Sequence, residues 1–307
     1  MMFHCMVPWE PAHTGVRDAW VVRRVGTNAA MPAPDTLLAS AERCLLAYRG
    51  DDGPAMTPMA CWSDGGGLWM TTSRQATETI ALRRDPRCAV WIQPPSPAEP
   101  GVAIDGSARI FDLSDPVGFW LHSATISAAL AALALTHRSA LAGYVRDLPQ
   151  LPATWMLQRR ALIRVRVDRA RSRLAPQQVT GVGPVLPAVL PAGVRRSLTG
   201  ARYVTLAVQR GDALSLQPAV WSAGYVLDLG DNVVKEPVPA PDAPACVVVV
   251  DEHVDGRPSS RSALLLCGTI DTGSVFRPTR ATWWQGISGG SAPVSEPATT
   301  SGIVLPD

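Results

Sequence analysis

The residues whose types and spacing could do chemistry lie in one short turn, Thr71-Thr72-Ser73-Arg74. Three hydroxyls and a guanidinium stand there between an apolar run, Leu68–Met70, and a segment with the composition of a helix. The first backbone amides of a helix have no partner within it, and the helix dipole places partial positive charge beside them. A turn of this kind is a typical binding site for a phosphate or another anion.

The sequence around this turn predicts a strand, the turn itself, one helix and a second strand. Asp64-Gly65-Gly66-Gly67 marks the turn that precedes Leu68–Met70. Arg83-Arg84 suit the last turn of the helix, and Asp85-Pro86 ends it. Cys88–Ile92 then has the composition of a buried strand.

This order of elements, with its flanks, resembles the split β-barrel flavoproteins, the superfamily of pyridoxamine 5′-phosphate oxidase. Members of that superfamily bind FMN, the deazaflavin F420 or, in some branches, haem. The resemblance covers Asp35 to Arg173 and depends on several matched pieces rather than one motif. They are the hairpin Cys44–Trp62, the turn GGGLWMTTSR, the helix exit ALRRDPRCAVWI and the strand Gly101–Asp112.

The resemblance implies a set of cofactor contacts and leaves the catalytic residues unknown. It places Thr71, Thr72, Ser73, Arg74 and Gln75 at a cofactor phosphate. It also makes Met56 and Thr57 candidate contacts of the isoalloxazine ring. The alternative, that both are ordinary strand residues, is equally compatible with the sequence.

One residue departs from the pattern of the family, which usually carries a basic residue four positions after the turn arginine. Glu78 stands there in this sequence. A carboxylate beside a phosphate dianion is repulsive unless it points away. Arg74 could supply the missing positive charge, or the site could bind another ligand.

The composition is that of a globular protein long enough for two domains. The chain has 307 residues, 47% of them hydrophobic, and a net charge of +2, which gives no argument for nucleic acid or membrane partners. Its single lysine, Lys235, is expected in an exposed loop, and no Walker-type phosphate loop exists. The six cysteines form no C-x-x-C pair, which favours reduced thiols in the cytoplasm and no zinc site.

Histidines keep a haem alternative open. His122 and His137 lie on the helix that Ser114-Asp115-Pro116 begins, which is expected to run towards Arg146, and His253 lies in the second half. A lone histidine on such a helix more often packs or is solvated than binds a metal, but each of the three is a candidate haem ligand.

The second half of the chain repeats the first. Arg202–Gly230 parallels the first hairpin and the strand after it, with Pro218 and Trp221 opposite Pro58 and Trp62. Ala243–Val250 and Ser262–Asp271 parallel the next two strands, and Gly268 falls opposite Gly106. Strands of matching order, twice in one chain, indicate a tandem duplication. The phosphate turn has no counterpart, because three prolines interrupt Gly230–Asp242.

The predicted architecture is therefore mainly β: two tandem split β-barrels that form a pseudo-dimer within one chain. The predicted boundaries are an N-terminal extension (1–34), the first barrel (35–173), a linker (174–200), the second barrel (201–285) and a flexible tail (286–307). Trp283 and Trp284 are expected in a sixth strand or in a flap over a flat ligand.

The function expected from the resemblance is an oxidoreductase that uses FMN or F420 on a small organic substrate, with one site between the two barrels. A haem-binding split-barrel enzyme and a cofactor-free binding protein are the alternatives. We expect a chain that needs no second subunit for its site. The sequence leaves the substrate open.

Overall fold

The computed structural model describes residues 34–94, 99–138, 159–174, 186–221, 225–230, 241–250, 262–285 and 288–294. The predicted N-terminal extension, Lys235 and His253 lie outside the described residues, as does the proline-interrupted part of the second half. Within the described residues the fold is mainly β, as the sequence predicts.

The described residues of the first half form six strands and four helices. Their bounds are α1 Pro34–Ala39, β1 Arg43–Gly50, β2 Gly53–Ser63, β3 Gly67–Ser73, α2 Thr77–Arg84, β4 Arg87–Ile92, β5 Gly101–Phe111, α3 Pro116–Leu121, α4 Ser123–Thr136 and β6 Arg160–Arg173. The strands form a closed antiparallel barrel in the order β1-β2-β3-β6-β5-β4. Its shortest ladder joins β2 and β3, which pair from Cys61–Met70 to Ser63–Leu68.

The strand β1 shows why the barrel strands are apolar throughout rather than alternating. Cys44, Leu46 and Tyr48 face the barrel core. Leu45 and Ala47 face outwards but are equally buried, because the second half of the chain covers that side. A strand buried on both faces gains from apolar residues at every position.

The helix predicted from Pro116 towards Arg146 is divided early. Asp115 caps α3 by accepting a hydrogen bond from the Gly118 amide at 2.9 Å, as its position suggested. The backbone leaves helical geometry at His122, between α3 and α4, and again at His137, directly after α4 ends at Thr136. No helix in the part of the chain that the structure describes is both long enough and apolar enough to cross a membrane.

The second half is one seven-stranded antiparallel sheet preceded by a short helix. The elements are α5 Ala192–Leu198, β7 Tyr203–Arg210, β8 Ala213–Trp221, β9 Leu227–Asp228, β10 Ala243–Val250, β11 Ser262–Ile270, β12 Phe276–Gln285 and β13 Ser288–Pro293. The strand order is β9-β8-β7-β10-β11-β12-β13. A single bridge between Val226 and Val275 joins the β9 end to the start of β12, where the first half has the full β3–β6 ladder.

The two halves pair their strands in the same order, and the matched glycines are equivalent. Gly106 and Gly268 each follow a bulge in the ladder to the next strand. The ladders also correct one alignment: with Pro218 opposite Pro58, Trp221 falls opposite Cys61 rather than Trp62. The shared topology supports a duplication, which stays a prediction.

The halves pack against each other like the subunits of a symmetric dimer. In the first half β2 packs across β7, β10 and β11, and in the second half β8 packs across β1, β4 and β5. An interface in which each side contributes the same surface is the pattern of a two-fold dimer. The contact is apolar, with a core formed by Leu45, Ala47, Met56, Ala89, Trp91, Ala103, Ala207, Leu214, Leu216, Cys246, Val248, Ala263, Leu265 and Trp284.

The segment predicted as a flexible tail begins with a strand. The strand β13 pairs with β12, which itself contains Trp283 and Trp284, so these tryptophans lie in a strand rather than in a flap. Gly290 lies against the Trp283 ring so closely that a side chain at this position would overlap it. The glycines therefore permit the pairing, although a glycine-rich composition predicts flexibility.

The segment predicted as a linker also contributes to the second core. Leu190 precedes α5, and Val194 and Leu198 lie on it; all three are buried in the core of the second sheet. Leu190, Val194 and Leu198 follow each other at the helical spacing of four residues. The prolines and glycines nearby make this pattern hard to recognise in the sequence.

Charged residues join the halves at the hairpin tips. Asp212, in the turn between β7 and β8, pairs with Arg49 and Arg87 of the barrel, and both arginines also pair with Asp85. Hydrogen bonds from Arg87 and Arg49 hold the pKa of Asp212 below its usual value. Burial would raise the pKa of Asp85, but hydrogen bonds from the same two arginines outweigh it and lower that pKa too.

These lowered pKa values predict an acid-sensitive contact between the halves. A carboxyl with a lowered folded pKa stabilises above its unfolded pKa, about 3.9, and that stability is lost as pH falls further. We expect Asp212→Asn to lower Tm by about 1–2 °C at pH 7, because the pair is exposed, and to reduce the loss of Tm between pH 5 and pH 3. Thermal melts at several pH values measure both.

The matched control is Asp51→Asn, which removes the same charge from the equivalent hairpin. Asp51 pairs with Arg84 inside the first half, and both side chains are exposed. An Asp212→Asn variant whose pH profile equals that of Asp51→Asn would contradict the prediction.

Candidate functional site

The predicted phosphate turn is a compact connection between β3 and α2. Ser73 organises it: its carbonyl accepts the Ala76 amide at 3.1 Å and the Thr79 hydroxyl at 2.8 Å. The Ser73 hydroxyl accepts the Gln75 amide at 3.3 Å. Ala76 at the N-cap of α2 offers no capping side chain. Ser73 therefore accepts three of the hydrogen bonds that shape the turn.

A guanidinium that the sequence analysis missed lies beside this turn. Arg160 opens β6 and pairs with Ser73 in the ladder. Its Nη2 donates to the Thr71 carbonyl at 2.9 Å, and its Nε donates to the Thr71 hydroxyl at 3.3 Å. The Thr71 hydroxyl in turn donates to the Ala161 carbonyl at 3.2 Å. Only the strand register brings Arg160 here, and no motif in the sequence marks it.

Arg74 differs from most arginines of the chain. Its backbone amide donates to the Arg159 carbonyl at 2.9 Å, which fixes the residue in the turn. Its side chain is half-buried, and among the residues that the structure describes it has no hydrogen-bond or ion-pair partner. Arg83 and Arg84 of the neighbouring helix each pair with an aspartate. Gln75, next in sequence, is exposed.

Glu78 points into the barrel and away from the surface. Its side chain is fully buried, and its Oε1 accepts the Thr72 hydroxyl at 2.5 Å. Tyr48 and Thr57 lie in the same buried region, with their hydroxyls 3.4 Å apart. Burial raises the pKa of Tyr48, and the nearby charge of Glu78 raises it further. These four residues form a polar cluster inside the barrel.

The seven residues predicted to bind the cofactor therefore fall into three groups. Thr57 and Thr72 belong to the buried polar cluster, and Met56 belongs to the apolar core between the halves. Thr71 and Ser73 hold the turn together, as described above. Of the five residues of the turn, Gln75 is exposed, Thr71 and Arg74 are half-buried, and Thr72 and Ser73 are buried.

A separate cleft opens between the two halves. Its cavity volume is about 40 Å³. It is lined by Leu45, Trp91, Gln93, Pro94 and Glu99 of the first half and by Tyr203, Val204, Thr205, Pro218, Val248 and Val250 of the second. None of the residues predicted for the cofactor lines it, so the structure does not bring the phosphate turn and this cleft together.

The described histidines have structural neighbours. The Nε2 atom of His137 lies 3.0 Å from the Cys61 carbonyl oxygen, and the ring of His122 packs edge-on against Phe111 at 5.5 Å. His253 is outside the described residues. Among the residues described, no group of three or more His, Cys, Asp or Glu side chains is placed to hold a metal ion. The five described cysteines are free thiols, as predicted.

Asp105, the one acid near the bend of β5, has an ion-pair partner. It lies at the bulge before Gly106. Its Oδ2 accepts a hydrogen bond from Nη2 of Arg171 at 2.6 Å. This contact agrees with a structural role for Asp105.

Comparison with known proteins gives structural matches only. No family model matches the chain, and no curated protein matches it in sequence. A proposed pyridoxamine 5′-phosphate oxidase from Listeria innocua matches 45% of this chain and 92% of its own, at 17% identity and a TM-score of 0.29.

Two further solved structures match to a similar extent. An FAD-binding protein from Mesorhizobium loti covers 45% of this chain and 88% of its own length, at 16% identity and a TM-score of 0.35. An F420 reductase covers 45% and 94%, at 21% identity and a TM-score of 0.31.

These similarities are too low to transfer an activity. The conclusion about architecture depends on the strand pairing of the chain itself, which is a closed six-stranded barrel joined face to face with a second antiparallel sheet of the same strand order. This is the mainly β architecture that the resemblance to split-barrel flavoproteins predicted.

Proposed function

We propose that this protein is an oxidoreductase that binds FMN or F420 and acts on a small organic substrate, with one cofactor site per chain. The observation that carries the proposal is Arg74, a half-buried guanidinium in the turn before α2 with no partner among the described residues. A half-buried charge is costly unless it is compensated, and a cofactor phosphate would compensate it.

The residues of the turn fit a phosphate group in part. Arg74 and Gln75 point outwards, Arg160 adds a second guanidinium beside Thr71, and the α2 dipole favours an anion. The hydroxyls of Thr71 and Thr72 already donate to other oxygens. Because the Glu78 side chain is directed into the barrel, its charge is not at the surface of the turn. The repulsion that the sequence raised as an objection is therefore reduced.

When bound, a flavin or deazaflavin would supply the hydride chemistry, and the protein would supply position and charge. Arg74 and Arg160 would hold the phosphate end, and Gln75 would donate a neutral hydrogen bond. A single site per chain follows from the sequence, since three prolines interrupt the matching segment of the second half.

Substitution of Arg74 tests the proposal. We expect the purified protein to bind FMN or F420 at about one equivalent per chain, and Arg74→Ala to weaken that binding ten- to a hundredfold. This is the effect of losing one charge-assisted hydrogen bond of about 1.5–3 kcal/mol. Absorption spectra of the purified protein and fluorescence titrations with both cofactors give the stoichiometry and the affinities.

Arg84→Ala is the matched control, because Arg84 lies on the same helix, is exposed and pairs with Asp51. Its affinity for the cofactor should equal that of the wild type. Equal affinities for the Arg74→Ala variant and the wild type would show that the cofactor phosphate does not bind at Arg74. Binding of two equivalents of cofactor per chain would overturn the single site.

A cofactor-free binding protein is the second candidate, and the Thr72–Glu78 hydrogen bond favours it. In this bond a hydroxyl of the turn is engaged inside the barrel instead of facing a ligand. Its partner, Glu78, occupies the position where the family carries its basic residue. A wild-type chain that is colourless and binds neither FMN nor F420 in the same titrations would support this candidate and reject the oxidoreductase.

A further inference from the structure

Two cysteines of the second sheet lie directly opposite each other on neighbouring strands. Cys246 of β10 pairs with Cys267 of β11 in the antiparallel ladder. Both side chains lie on the face of the sheet that meets the first half: Cys246 belongs to the core between the halves, and Cys267 packs against that core. Because directly opposed residues of an antiparallel pair share one face, the two thiols are neighbours.

The spacing of opposed residues suits a disulfide bond between adjacent strands. Their Cα atoms are about 4.5–5.5 Å apart, within the range of about 4.4–6.8 Å that a disulfide spans. Their Cβ atoms are typically about 4.5–5.5 Å apart, compared with about 3.8 Å across an unstrained disulfide. A bond between Cys246 and Cys267 therefore requires a small approach of the two strands, and strain of this kind makes a disulfide easier to reduce.

This arrangement distinguishes one pair among the described cysteines. Cys44, Cys61 and Cys88 are opposed by other residue types on their neighbouring strands. The thiols of Cys44 and Cys61 are neighbours, but both are shielded from solvent inside the barrel core. In the first half, Ala89 and Asp105 occupy the positions equivalent to the opposed cysteines, so the fold itself does not require a cysteine at either place.

The two opposed thiols differ in access to solvent, which assigns them different roles. Cys246 is fully buried, whereas Cys267 is partly exposed, with its thiol 4.0 Å from the Pro54 carbonyl oxygen. Burial raises the pKa of Cys267 to about 11; the charge of Arg280 opposes this increase and that of Asp52 adds to it. Burial also raises the pKa of Cys246 well above its usual value. Cys267 is therefore the thiol that an oxidant reaches first, and its reaction at neutral pH is slow.

We propose that Cys246 and Cys267 are a reversible oxidation site, which forms a disulfide across β10 and β11 by exchange with a small-molecule disulfide. The Cys267 thiolate attacks one sulfur of the small disulfide. A mixed disulfide forms, and the first small thiol leaves with the proton that Cys267 gave up. The Cys246 thiolate then attacks the Cys267 sulfur, and the second small thiol leaves with the Cys246 proton. The protein thiols lose two electrons, and the small disulfide gains them as two free thiols.

Incubation of the native full chain with glutathione disulfide tests this site. The reaction is run at about pH 8.5, where a larger fraction of the Cys267 thiol is ionised than at neutral pH. We expect the chain to lose two of its six free thiols and the mass of two hydrogen atoms, without gain of glutathione. Peptide mapping by mass spectrometry should find Cys246 joined to Cys267, and an excess of dithiothreitol should restore both thiols.

Single substitutions separate the attacking thiol from the resolving one. Cys246→Ala gives this position the residue type of Ala89 in the first half; its reaction should stop at the mixed disulfide, with one glutathione bound to Cys267. Cys267→Ser should form neither product. Cys88→Ala is the matched control, because it removes a buried cysteine from the barrel core, and it should form the same disulfide as the wild type.

Three results would overturn the proposal. The first is a native wild type that keeps all its thiols while the same chain, unfolded in urea, is oxidised. The second is a disulfide that joins another pair of cysteines or links two chains. The third is a Cys246→Ala variant that retains the circular dichroism spectrum of the wild type and leaves Cys267 unmodified, because Cys267 would then not be the attacking thiol.

Discussion

Replacing Gly268 by alanine should be among the most destabilising single substitutions in the chain. A Cβ atom at this position would overlap the carbonyl oxygen of Arg277 on the neighbouring strand. The overlap involves backbone on both sides, so no side chain can rotate to relieve it, and the β11–β12 ladder must open at its bulge. We expect a loss of about 3 kcal/mol or more, a large part of the 5–15 kcal/mol of a typical domain.

Equilibrium unfolding in urea, followed by circular dichroism and tryptophan fluorescence, measures this loss. Gly200→Ala is the matched control, because a Cβ atom at Gly200 meets no atom within 4 Å. It should change the free energy of unfolding by less than about 0.5 kcal/mol, as surface substitutions usually do. Equal stability of the two variants would show that the bulge relaxes at little cost.

Gly106→Ala extends the prediction to the first half. A Cβ atom there would overlap the Arg166 carbonyl oxygen at the equivalent bulge. If the halves share one architecture, the two substitutions should destabilise by similar amounts. A large loss for Gly268 and a negligible one for Gly106 would weaken the case that the halves are copies.

The same glycines show how much of the fold could be predicted from the sequence. Gly106 and Gly268 occupy matched places in matched strands, so the order of strands and their pairing followed from two similar runs of residues. Whether the second sheet closes into a barrel could not be predicted from the sequence. It depends on how far β9 extends beside β12, and among the described residues of these two segments the bridge between Val226 and Val275 is the one pairing that joins them.

Composition misled the prediction in two segments, for different physical reasons. The glycines of β13 predict a flexible segment, but they are needed where the strand lies against the Trp283 ring. The prolines around α5 predict a linker, but they flank a helix whose Val194 and Leu198 are buried in the second core. Local composition reports conformational freedom, whereas packing against distant residues decides whether that freedom is used.

The candidate site could be located from the sequence, but the directions of its side chains could not. The turn before α2 was predicted from its hydroxyls and from the helix that follows. That Arg74 points outwards and Glu78 inwards depends on how α2 sits on the end of the barrel, and no local pattern encodes this. Arg160 enters the site through the register of β6, a contact between residues far apart in the sequence.

Removing the Thr72 hydroxyl should destabilise the protein more than the loss of so small a group suggests. Thr72→Val keeps the shape of the side chain but leaves Glu78 Oε1 without its 2.5 Å hydrogen bond inside the barrel. Hydrogen bonds to charged groups contribute about 1.5–3 kcal/mol, and we expect a loss in this range. Thr79→Val is the control, since its buried hydroxyl donates to the uncharged Ser73 carbonyl, and it should lose about 1 kcal/mol.

A double-mutant cycle assigns the effect to the pair. Glu78→Leu removes the buried carboxyl, and the double variant Thr72→Val with Glu78→Leu replaces both polar groups by apolar ones. Apolar replacement of both partners can be nearly neutral, so the double variant should be more stable than the sum of the single losses predicts, by about 1–3 kcal/mol. Strict additivity in urea unfolding would contradict a direct interaction.

The same variant distinguishes a structural hydroxyl from one that binds the cofactor. If Thr72 serves only the interior of the barrel, Thr72→Val should keep the FMN or F420 affinity of the wild type wherever it remains folded, while Arg74→Ala loses affinity at nearly unchanged stability. A loss of affinity in Thr72→Val as large as that in Arg74→Ala would place the hydroxyl at the phosphate. Glu78 would then have to turn away from Thr72 when the cofactor binds, because one hydroxyl proton cannot serve two acceptors.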